Sequence, residues 1–460
     1  MLIRYSVENF LSFRQRVEMS MIPGKGTLKK HHLSEPVNGV KTLKTSIVLG
    51  ANASGKSNLI KAIDFGRNFI VRGYPVGQHL DYQCFRLNVA DASRESRMEF
   101  EIQTAGKNYA YGFVFNHKGV VEEWLYELTN RKEKAIFERD TKSEQIFKMD
   151  YLLELNPSKE HQQYISFTAK GTPENQLFLR EMVVRNVAAN TENIEDVQHV
   201  YNWFLNALKV VFPDDKYKHG LESEIMDDDK LKKMYEDFLK YFGTGIAGIS
   251  MVDEKLENLN LPENILSSIK EKVLSQKSEG VRVVINFNGN SYFFSFEKGE
   301  LHVRRLKTKH QVKGGDYAYF DTVDESDGTN RIIDLIPLLI DLIEGENVFV
   351  IDEMERSLHP NLIYDIIDLF LDEDTHSKGQ LILATHESSL ITQNLFRKDE
   401  IWFVVKNEEG ASHLHSLEDY KVRFDKDIRK DYLLGRFKAV PRIGSRDDLN
   451  INNNDSRRYL

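Results

Sequence analysis

Hydrophobic positions follow different periods in different parts of the chain. Apolar and polar residues alternate over 97–139 and again over 281–306, which predicts antiparallel strands. Between about 140 and 277, apolar residues recur three or four positions apart, as in amphipathic helices. Beyond 328, short apolar strands alternate with helical stretches, an order typical of a mostly parallel sheet. The pattern therefore predicts an α/β protein with an antiparallel β lobe and a helical insertion.

The same pattern divides the chain into four segments. They are an N-terminal half-domain (1–139), a helical insertion or arm (140–280), a C-terminal half-domain (281–442) and a polar, mobile tail (443–460). Strands are predicted at 2–10, 17–22, 45–49, 98–102, 109–115, 120–128, 281–287, 291–296, 301–306, 348–351, 380–384 and 400–405, and helices at 56–71, 328–343 and 358–371. The apolar stripes of the insertion do not form sustained heptads, so no long coiled coil is predicted.

Composition restricts the class of protein. Of the 460 residues, 41% are hydrophobic and 29% are charged, as in a globular protein with a real core. With a net charge of −9, nucleic acid could bind only through a local basic patch. The single cysteine, Cys84, excludes an internal disulfide and fits a reducing compartment. We see no signal-peptide pattern and no apolar run near the ~20 residues of a membrane helix, so we expect a cytoplasmic protein.

The strongest chemical motif is a glycine-rich turn between a predicted strand and a predicted helix. Residues 50–57 read Gly-Ala-Asn-Ala-Ser-Gly-Lys-Ser, the phosphate-loop pattern G-x-x-x-x-G-K-[ST]. Backbone N–H groups of such a turn and the positive end of the helix dipole surround an anion. Gly50 and Gly55 lack a Cβ, so the backbone can approach phosphate closely. Lys56 is expected to reach the β- and γ-phosphates, and the Ser57 hydroxyl to bind Mg²⁺.

Two further predicted strands end in side chains that suit hydrolysis. One leads into Asp352 and Glu353, and the strand over 380–384 leads into Thr385-His386. Parallel strands present their carboxyl ends to the ligand crevice. Asp352 is then placed to hold Mg²⁺, Glu353 to orient and deprotonate the attacking water, and His386 to hydrogen-bond the γ-phosphate. The alternatives are solvated acids at a strand end and a structural histidine.

A third candidate lies at the start of the helix over 328–343. The segment 325–331 reads Glu-Ser-Asp-Gly-Thr-Asn-Arg, and exposed N–H groups at a helix start suit a phosphate. Since residues 50–57 already supply one phosphate site, this second one would face the nucleotide of another subunit. The alternative is an ordinary N-cap by Ser326 or Asp327.

The densest positive stretch runs from Arg304 to Lys313. It could contact a phosphate backbone. Alternatively, its lysines could discourage pairing along a solvated strand edge.

The motifs and their order resemble a known group of proteins. Beside the phosphate loop and the Asn58-Leu59 that follows it, the stretches concerned are 9–13 (Asn-Phe-Leu-Ser-Phe), 352–360 (Asp-Glu-x-Glu-x-Ser-Leu-His-Pro) and 432–441 (Tyr-Leu-x-Gly-Arg-Phe-x-Ala-Val-Pro). Over nearly the whole chain they resemble the ABC-type ATPase heads of SMC-like and RecF-like proteins. More narrowly, they resemble the AAA_15/AAA_21 group related to OLD-family ATPases. The resemblance implies an ABC-type head that hydrolyses ATP with Mg²⁺.

The resemblance also implies roles for single residues. Asp352 would be the Walker B acid, Glu353 the hydrolytic base and His386 the switch histidine, with Lys56 as a further catalytic residue. The implied nucleotide-binding residues are Gly50, Asn52, Ser54, Gly55, Lys56, Ser57 and Asn58, with Ser326 and Gly328 as signature residues acting in trans. The implied metal ligands are Ser57, Asp352 and a Q-loop glutamine, for which Gln83 is the best candidate and Gln78 competes. Residues 357–359 would lie at the dimer seam.

The sequence departs from related families in two places. The signature L-S-G-G-Q is replaced by Glu-Ser-Asp-Gly-Thr over 325–329. OLD-family nucleases continue into a TOPRIM domain, and the residues after His386 are too few for one, so we expect none here. Stand-alone ATPases of this kind resemble the sensor halves of two-component anti-phage systems. The effector there is a TOPRIM-like or other nuclease, RloB-like or as in PARIS and abortive-infection pairs.

Three functions are compatible with these residues. The first is a dimeric ATPase switch that regulates a nuclease or toxin in anti-phage defence. The second is a RecF-like DNA-binding ATPase in repair or maintenance, and the third is a scaffold that holds ATP without hydrolysing it. Expected partners are a second copy of the chain or a higher oligomer, and an effector protein. Nucleic acid or a phage protein stay open as partners, and no membrane contact is expected.

Overall fold

A computed structural model describes residues 1–129, 132–156, 158–187, 193–215, 217, 228–256, 259, 262–275, 282–287, 290–297, 300–420 and 427–441. The chain forms two compact units. The first contains 1–210, 348–353 and 380–460, and the second contains 211–347 and 354–379. The predicted mobile tail lies outside the described residues.

The strands and helices have the following bounds. The strands are β1 (Leu2–Glu8), β2 (Val17–Ser20), β3 (Thr45–Leu49), β4 (Ser96–Thr104), β5 (Lys107–Phe115), β6 (Val120–Leu128), β7 (Glu133–Asp140), β8 (Phe147–Lys148), β9 (Leu208–Val211), β10 (Ile246–Glu254), β11 (Arg282–Phe287), β12 (Asn290–Glu297), β13 (Glu300–Gln311), β14 (Tyr317–Asp321), β15 (Val348–Asp352), β16 (Gln380–Ala384), β17 (Ile401–Lys406) and β18 (Ser412–Ser416). The helices are α1 (Lys56–Arg72), α2 (Asp150–Glu154), α3 (Lys159–Lys170), α4 (Phe178–Val184), α5 (Glu195–Asn202), α6 (Asp229–Tyr241), α7 (Glu263–Ser275), α8 (Asp327–Glu344), α9 (Pro360–Leu371) and α10 (Ile428–Leu433).

The first unit contains a six-stranded sheet in the order β18-β17-β3-β16-β15-β9. The pairs β15 with β16, β16 with β3 and β3 with β17 are parallel, and β18 is antiparallel to β17. Every residue of β3, β15 and β16 is buried, which is typical of parallel strands covered on both faces. The predicted mostly parallel α/β sheet is confirmed.

The predicted antiparallel β lobe is the second sheet of this unit. Its seven strands run in the order β2-β1-β4-β5-β6-β7-β8, so the first two strands of the chain join the lobe. The Gln380 side chain ties the lobe to the parallel sheet. Its Oε1 accepts from Leu2 N at 2.7 Å, and its Nε2 donates to Leu2 O at 3.0 Å.

Helix α1 packs against both sheets, which fixes the position of its first residue. Leu59, Ile60 and Ile63 are fully buried, and α1 contacts β15 and β16. Towards the β lobe, Gly66 leaves room for Phe100: a Cβ at Gly66 would lie 2.8 Å from the ring. The glycine turn that precedes α1 is therefore held by a helix with little freedom to shift.

The second unit is built on an antiparallel sheet in the order β10-β13-β12-β11, with β14 also paired to β13. Helices α6 and α8 cover part of it, and Tyr235, Ile249, Phe293 and Ile336 meet in a shared core. The structure divides the predicted insertion over 140–280 between the two units. Its helices up to α5 belong to the first unit, and β10 interrupts the rest as a nine-residue strand paired with β13.

Candidate nucleotide site

The register of the parallel sheet brings the predicted site residues to one edge. Asp352 lies opposite Ala384 in the pairing of β15 with β16, and Ala384 lies opposite Val48 in the pairing of β16 with β3. Three adjacent strands therefore end side by side, at Asp352, just before Thr385 and just before Gly50.

The glycine-rich turn has the backbone of a phosphate cradle. Gly55 has a left-handed φ of 116°, which favours glycine. A Cβ on Gly50 would lie 2.5 Å from both the Ser54 hydroxyl and the Val404 carbonyl oxygen, so a larger residue would force the backbone to move. The Ser54 hydroxyl is buried and has no hydrogen-bond partner in the described part of the chain, whereas Asn52 is exposed at the tip of the turn. The turn leads into a 17-residue helix whose first N–H groups can bind an anion.

Two serines support this turn: Ser12, which lies in the stretch 9–13 noted in the sequence, and Ser412, which the sequence did not single out. The Ser412 hydroxyl, on β18, hydrogen-bonds to the Ser54 carbonyl oxygen at 2.5 Å and to the Ser12 hydroxyl at 2.8 Å. Asn58 donates to the same Ser12 hydroxyl at 2.9 Å. A Cβ on Gly55 would collide with both serine hydroxyls. The structure thus places Asn58 in the support of the turn, and its contact with nucleotide stays a prediction.

Lys56 connects the turn to the other two strand ends. It is 4% exposed, and its Nζ donates to the carbonyl oxygens of Gly50 at 2.8 Å and Ala51 at 3.2 Å. The same Nζ lies 3.4 Å from Nδ1 of His386. On the other side of the imidazole, Nε2 lies 3.6 Å from Oε1 of Glu353. Lys56, His386 and Glu353 thus form one line of polar contacts across the three strand ends.

Asp352 is buried beside the start of α1. It is 3% exposed, and the Ser57 hydroxyl hydrogen-bonds to its carboxylate. Burial raises the pKa of Asp352, and the negative Glu353 adds to this, while the bond from Ser57 and the charge of Lys56 oppose it. Its Oδ1 is buried and finds no hydrogen-bond partner among the described residues. A positive group at Oδ1 would therefore be stabilising.

These oxygens fit a magnesium ion shared with a triphosphate. Mg²⁺ in nucleotide sites is held by one or two protein oxygens, phosphate oxygens and water. Asp352 Oδ1 and the Ser57 hydroxyl would supply the protein oxygens. Among the described residues there is no cluster of three or more His, Cys, Asp or Glu that could hold a metal alone, so phosphate and water would complete the shell.

Glu353 lies where β15 ends and the chain turns away. Its φ of 50° is left-handed, which is uncommon for a residue other than glycine and costs of order 1–3 kcal/mol. Its N–H donates to Ala384 O at 2.9 Å, which holds it beside β16. The side chain is 38% exposed, so water can reach the carboxylate.

The Q-loop candidates lie at the surface. Gln83 and Gln78 are both exposed. The carbonyl oxygen of Gln83 accepts from Leu11 N at 2.8 Å, so its segment is held against the turn that carries Ser12. The assignment of Gln83 as a metal ligand stays a prediction.

Ser326 and Gly328 lie in the second unit, at the start of α8. Ser326 is the N-cap: its hydroxyl accepts from Thr329 N at 3.2 Å and lies 2.9 Å from the Thr329 hydroxyl. The ordinary N-cap considered from the sequence is therefore present. A Cβ on Gly328 would lie 3.1 Å from Ser357 O, so the segment predicted at the dimer seam lies against the first turn of α8. Binding of a second subunit's nucleotide stays a prediction.

The positive run over 304–313 lies mostly on an interior strand, so it is not a solvated strand edge. β13 pairs with β10 along one side and with β12 and then β14 along the other. Neighbouring strands place acids opposite its cations, as stabilising cross-strand pairs require. The ion pairs are Lys307 with Glu254 (3.0 Å) and Asp321 (3.6 Å), Arg304 with Asp253 (3.0 Å) and Arg305 with Asp321. This pairing weakens the case for DNA contact at β13.

The family comparison decides the class of the protein. Residues 46–163 and 200–392, more than half of the chain, match the family described as "AAA domain, putative AbiEii toxin, Type IV TA system". The chain belongs to this AAA domain family. It is an ATPase of the AAA type, and the resemblance to the AAA_21 group is confirmed. The matched stretches of this AAA ATPase include the glycine-rich turn, Asp352, Glu353 and His386.

Solved structures of SMC heads are similar to this AAA ATPase. The SMC head domain from Thermotoga maritima is 11% identical, covers 90% of this chain and 98% of its own, and gives a TM-score of 0.38. An SMC head bound to the C-terminal winged-helix domain of ScpA is 13% identical, with coverages of 91% and 99% and a TM-score of 0.39. The SMC head with an extended coiled coil, bound to the C-terminal domain of ScpA from Pyrococcus furiosus, is 13% identical, with coverages of 95% and 99% and a TM-score of 0.37. A comparison with curated proteins gave no match.

Within the described ranges, no helix combines the length and the apolar character needed to cross a membrane.

Proposed function

We propose that this AAA ATPase is a Mg²⁺-dependent ATP hydrolase that works as a nucleotide-driven dimeric switch. The observation that carries the proposal is the sheet register, which supports one shared site for Lys56, Asp352 and the Glu353–His386 pair. The glycine-rich turn binds the triphosphate, because its N–H groups and Lys56 offset the phosphate charge.

The remaining residues suit the chemical step. Glu353 orients the attacking water and accepts its proton, which its partly exposed carboxylate allows. His386 lies between Glu353 and Lys56 and orients the Glu353 carboxylate. Ser57 and Asp352 would hold Mg²⁺. When bound, the ion would neutralise negative charge on the phosphate oxygens.

In this proposal a second copy of the chain completes the site. The start of α8, with Ser326 and Gly328, binds the nucleotide held by the other copy. A ligand shifts an equilibrium only if it binds one state more tightly than the other. The γ-phosphate supplies that difference, because ATP carries it and ADP does not. ATP therefore closes the dimer, and hydrolysis lets it open.

The switch belongs, in our proposal, to an anti-phage system in which it controls a nuclease or toxin effector. The family description, which names a toxin and a toxin–antitoxin system, supports this setting. The neighbouring open reading frame tests it. A nuclease or toxin gene there agrees with the proposal, whereas a replication gene would favour the RecF-like alternative.

Phosphate release tests the hydrolytic site. Lys56→Ala should lose both ATP binding and phosphate release. Glu353→Gln should still bind ATP, release phosphate at least roughly 100-fold more slowly because the general base is absent, and accumulate as a dimer with ATP. Matched controls are Lys61→Ala, exposed on the same helix, and Glu346→Gln, an exposed acid outside the site; both should resemble the wild type. Unchanged release in Lys56→Ala and Glu353→Gln would rule the proposal out.

A further inference from the structure

A cavity of about 450 Å³ lies in the first unit, at the edge of the parallel sheet opposite the glycine-rich turn. Part of its wall, 397–399, directly precedes β17, and Glu418 and Tyr420 follow β18, which is antiparallel to β17. Because β17 runs parallel to β3, the cavity lies where these strands begin, whereas the turn over 50–57 lies where β3 ends. Its volume is typical of small-molecule sites. The cavity is therefore separate from the candidate nucleotide site.

Gln393, whose side chain belongs to the cavity lining, has an amide with unmet hydrogen bonds. Its Nε2 and Oε1 are both buried, and neither has a hydrogen-bond partner among the described residues. Buried polar atoms in this state are uncommon, because they lose hydrogen bonds to water without replacing them. Both atoms are closed off from solvent in this conformation, but turning the amide into the cavity breaks no hydrogen bond to a described residue. There it would offer a ligand one donor side and one acceptor.

The walls around this amide are held by the protein's own contacts. Arg397 forms a two-pronged ion pair with Asp399, at 2.9 and 2.6 Å. The same guanidinium donates to the carbonyl oxygens of Leu28 and, at 3.4 Å, Gly26, which fixes the loop opposite Gln393. Arg397 is thus a structural cation, and its charge is balanced by Asp399.

Aromatic rings form another part of the lining. Phe396 is 1% exposed, and the Tyr420 ring is only partly buried. Tyr420 packs edge-on against Phe437, with 5.0 Å between ring centroids, so its position is fixed from behind. Such rings suit a planar ligand, because flat rings pack well against aromatic faces.

The remaining charges of the lining are positive in sum. Apart from the Arg397–Asp399 pair, the described lining residues carry two lysines, Lys29 and Lys398, and one acid, Glu418. Lys29 donates to Asn394 O, next to Gln393, and the Glu418 carboxylate lies against Gly24. This balance favours a ligand that carries an anionic group.

We propose that this cavity binds a nucleotide whose base presents a hydrogen-bond donor beside an acceptor, as adenine does. The Gln393 amide pairs with that edge through two hydrogen bonds, as glutamine does with N6 and N7 of adenine. The base packs against the aromatic lining, and Lys29 and Lys398 attract the phosphate. This second site goes beyond the proposed function and does not depend on it.

The test uses the full chain with Lys56→Ala, which removes the lysine of the glycine-rich turn. Isothermal titration calorimetry with AMP should give a Kd below about 1 mM. Purine riboside 5′-monophosphate lacks the N6 amino donor and should bind roughly tenfold more weakly, the scale of one lost hydrogen bond. Adenosine should also bind more weakly than AMP, because the lysines lose the phosphate. Absence of AMP binding, or equal affinity for the three compounds, would overturn the inference.

Gln393→Leu in the same background shows whether the amide binds the base. It should weaken AMP binding at least roughly tenfold and should not lower the melting temperature, because no hydrogen bond to a described residue is lost. Gln380→Leu is the matched control. Gln380 accepts from Leu2 N at 2.7 Å and donates to Leu43 O at 2.8 Å, so its loss should lower the melting temperature.

Unchanged AMP affinity in Gln393→Leu would overturn the inference. If that variant fails to fold, the comparison of AMP with purine riboside 5′-monophosphate still decides, because it needs no substitution at Gln393. The proposed ATPase is judged separately, by phosphate release from Lys56→Ala and Glu353→Gln.

Discussion

At the scale of single residues, the glycine-rich turn that we propose binds phosphate depends on one glycine packed against two serine hydroxyls. We expect Gly55→Ala to abolish ATP binding for two reasons. The alanine would have to adopt a left-handed φ, and its Cβ would collide with the hydroxyls of Ser412 and Ser12. Gly77→Ala is the control for conformational strain alone. Gly77 has a φ of 80°, but no atom lies within 4 Å of a Cβ built there.

Equilibrium binding of an ATP analogue and thermal melting separate the two effects. Both variants should lose about 1–2 kcal/mol of stability from the left-handed conformation, and only Gly55→Ala should lose binding. Normal ATP binding by Gly55→Ala would show that the serine support is not needed.

The sequence predicted Lys56, Ser57, Asp352 and Glu353 as site residues because each stands in a short motif beside an apolar strand, and the structure brings the ends of those strands together. The sequence could not reveal Ser412, whose partner Ser12 lies 400 positions away along the chain.

At the scale of elements, a buried carboxylate fixes the start of α4 against the β lobe. Glu123 accepts from Phe178 N at 2.7 Å, Leu179 N at 2.9 Å and the Tyr111 hydroxyl at 2.9 Å, and it lies 3.8 Å from Arg139. Glu123→Ala would leave the Tyr111 hydroxyl and two N–H groups buried without their acceptor, and the Arg139 guanidinium without its counter-charge.

We therefore expect Glu123→Ala to lower the free energy of unfolding of the first unit by roughly 3–5 kcal/mol. Glu122→Ala, on the same strand but only partly buried, is the matched control and should change it by less than about 0.5 kcal/mol. Urea denaturation followed by circular dichroism measures both. Equal midpoints would mean that the buried network contributes little.

Helices and strands were predicted correctly where the hydrophobic pattern was continuous or where the segment ended at a recognisable motif. Strands Thr45–Leu49 and Gln380–Ala384 have their predicted bounds, because each consists of buried apolar residues and ends at a motif. Strand β10 was missed inside a segment predicted as helical. Its pairing with β13 is set by residues 49 to 64 positions later in the chain, which its own short pattern does not contain.

At the scale of the whole molecule, the chain passes between its two units four times, so neither unit is a continuous segment. The segmentation predicted from the sequence could not foresee this, because a helix's own period does not show which sheet it will cover. The crossings at 347/348 and 353/354 enclose the strand that carries Asp352. The sequence nevertheless assigned that strand to the same site as the glycine-rich turn.

The distribution of charge gives a prediction about nucleic acid. The combined variant Arg304→Gln, Arg305→Gln and Lys307→Gln should leave any DNA affinity and its salt dependence unchanged. The reason is that these three cations already form ion pairs with acids of β10 and β14. The variant should instead melt at a lower temperature. Fluorescence anisotropy with labelled duplex DNA at two salt concentrations checks it, and a shallower salt dependence would support the DNA-binding alternative.

The structure of the Glu353→Gln variant with ATP and Mg²⁺ tests the central claim most directly. The account predicts the β- and γ-phosphates inside the glycine-rich turn beside Lys56, Mg²⁺ on Ser57 and Asp352, and the side chain at 353 facing the γ-phosphate. Phosphates bound away from Asp352, or Mg²⁺ held by other residues, would contradict it.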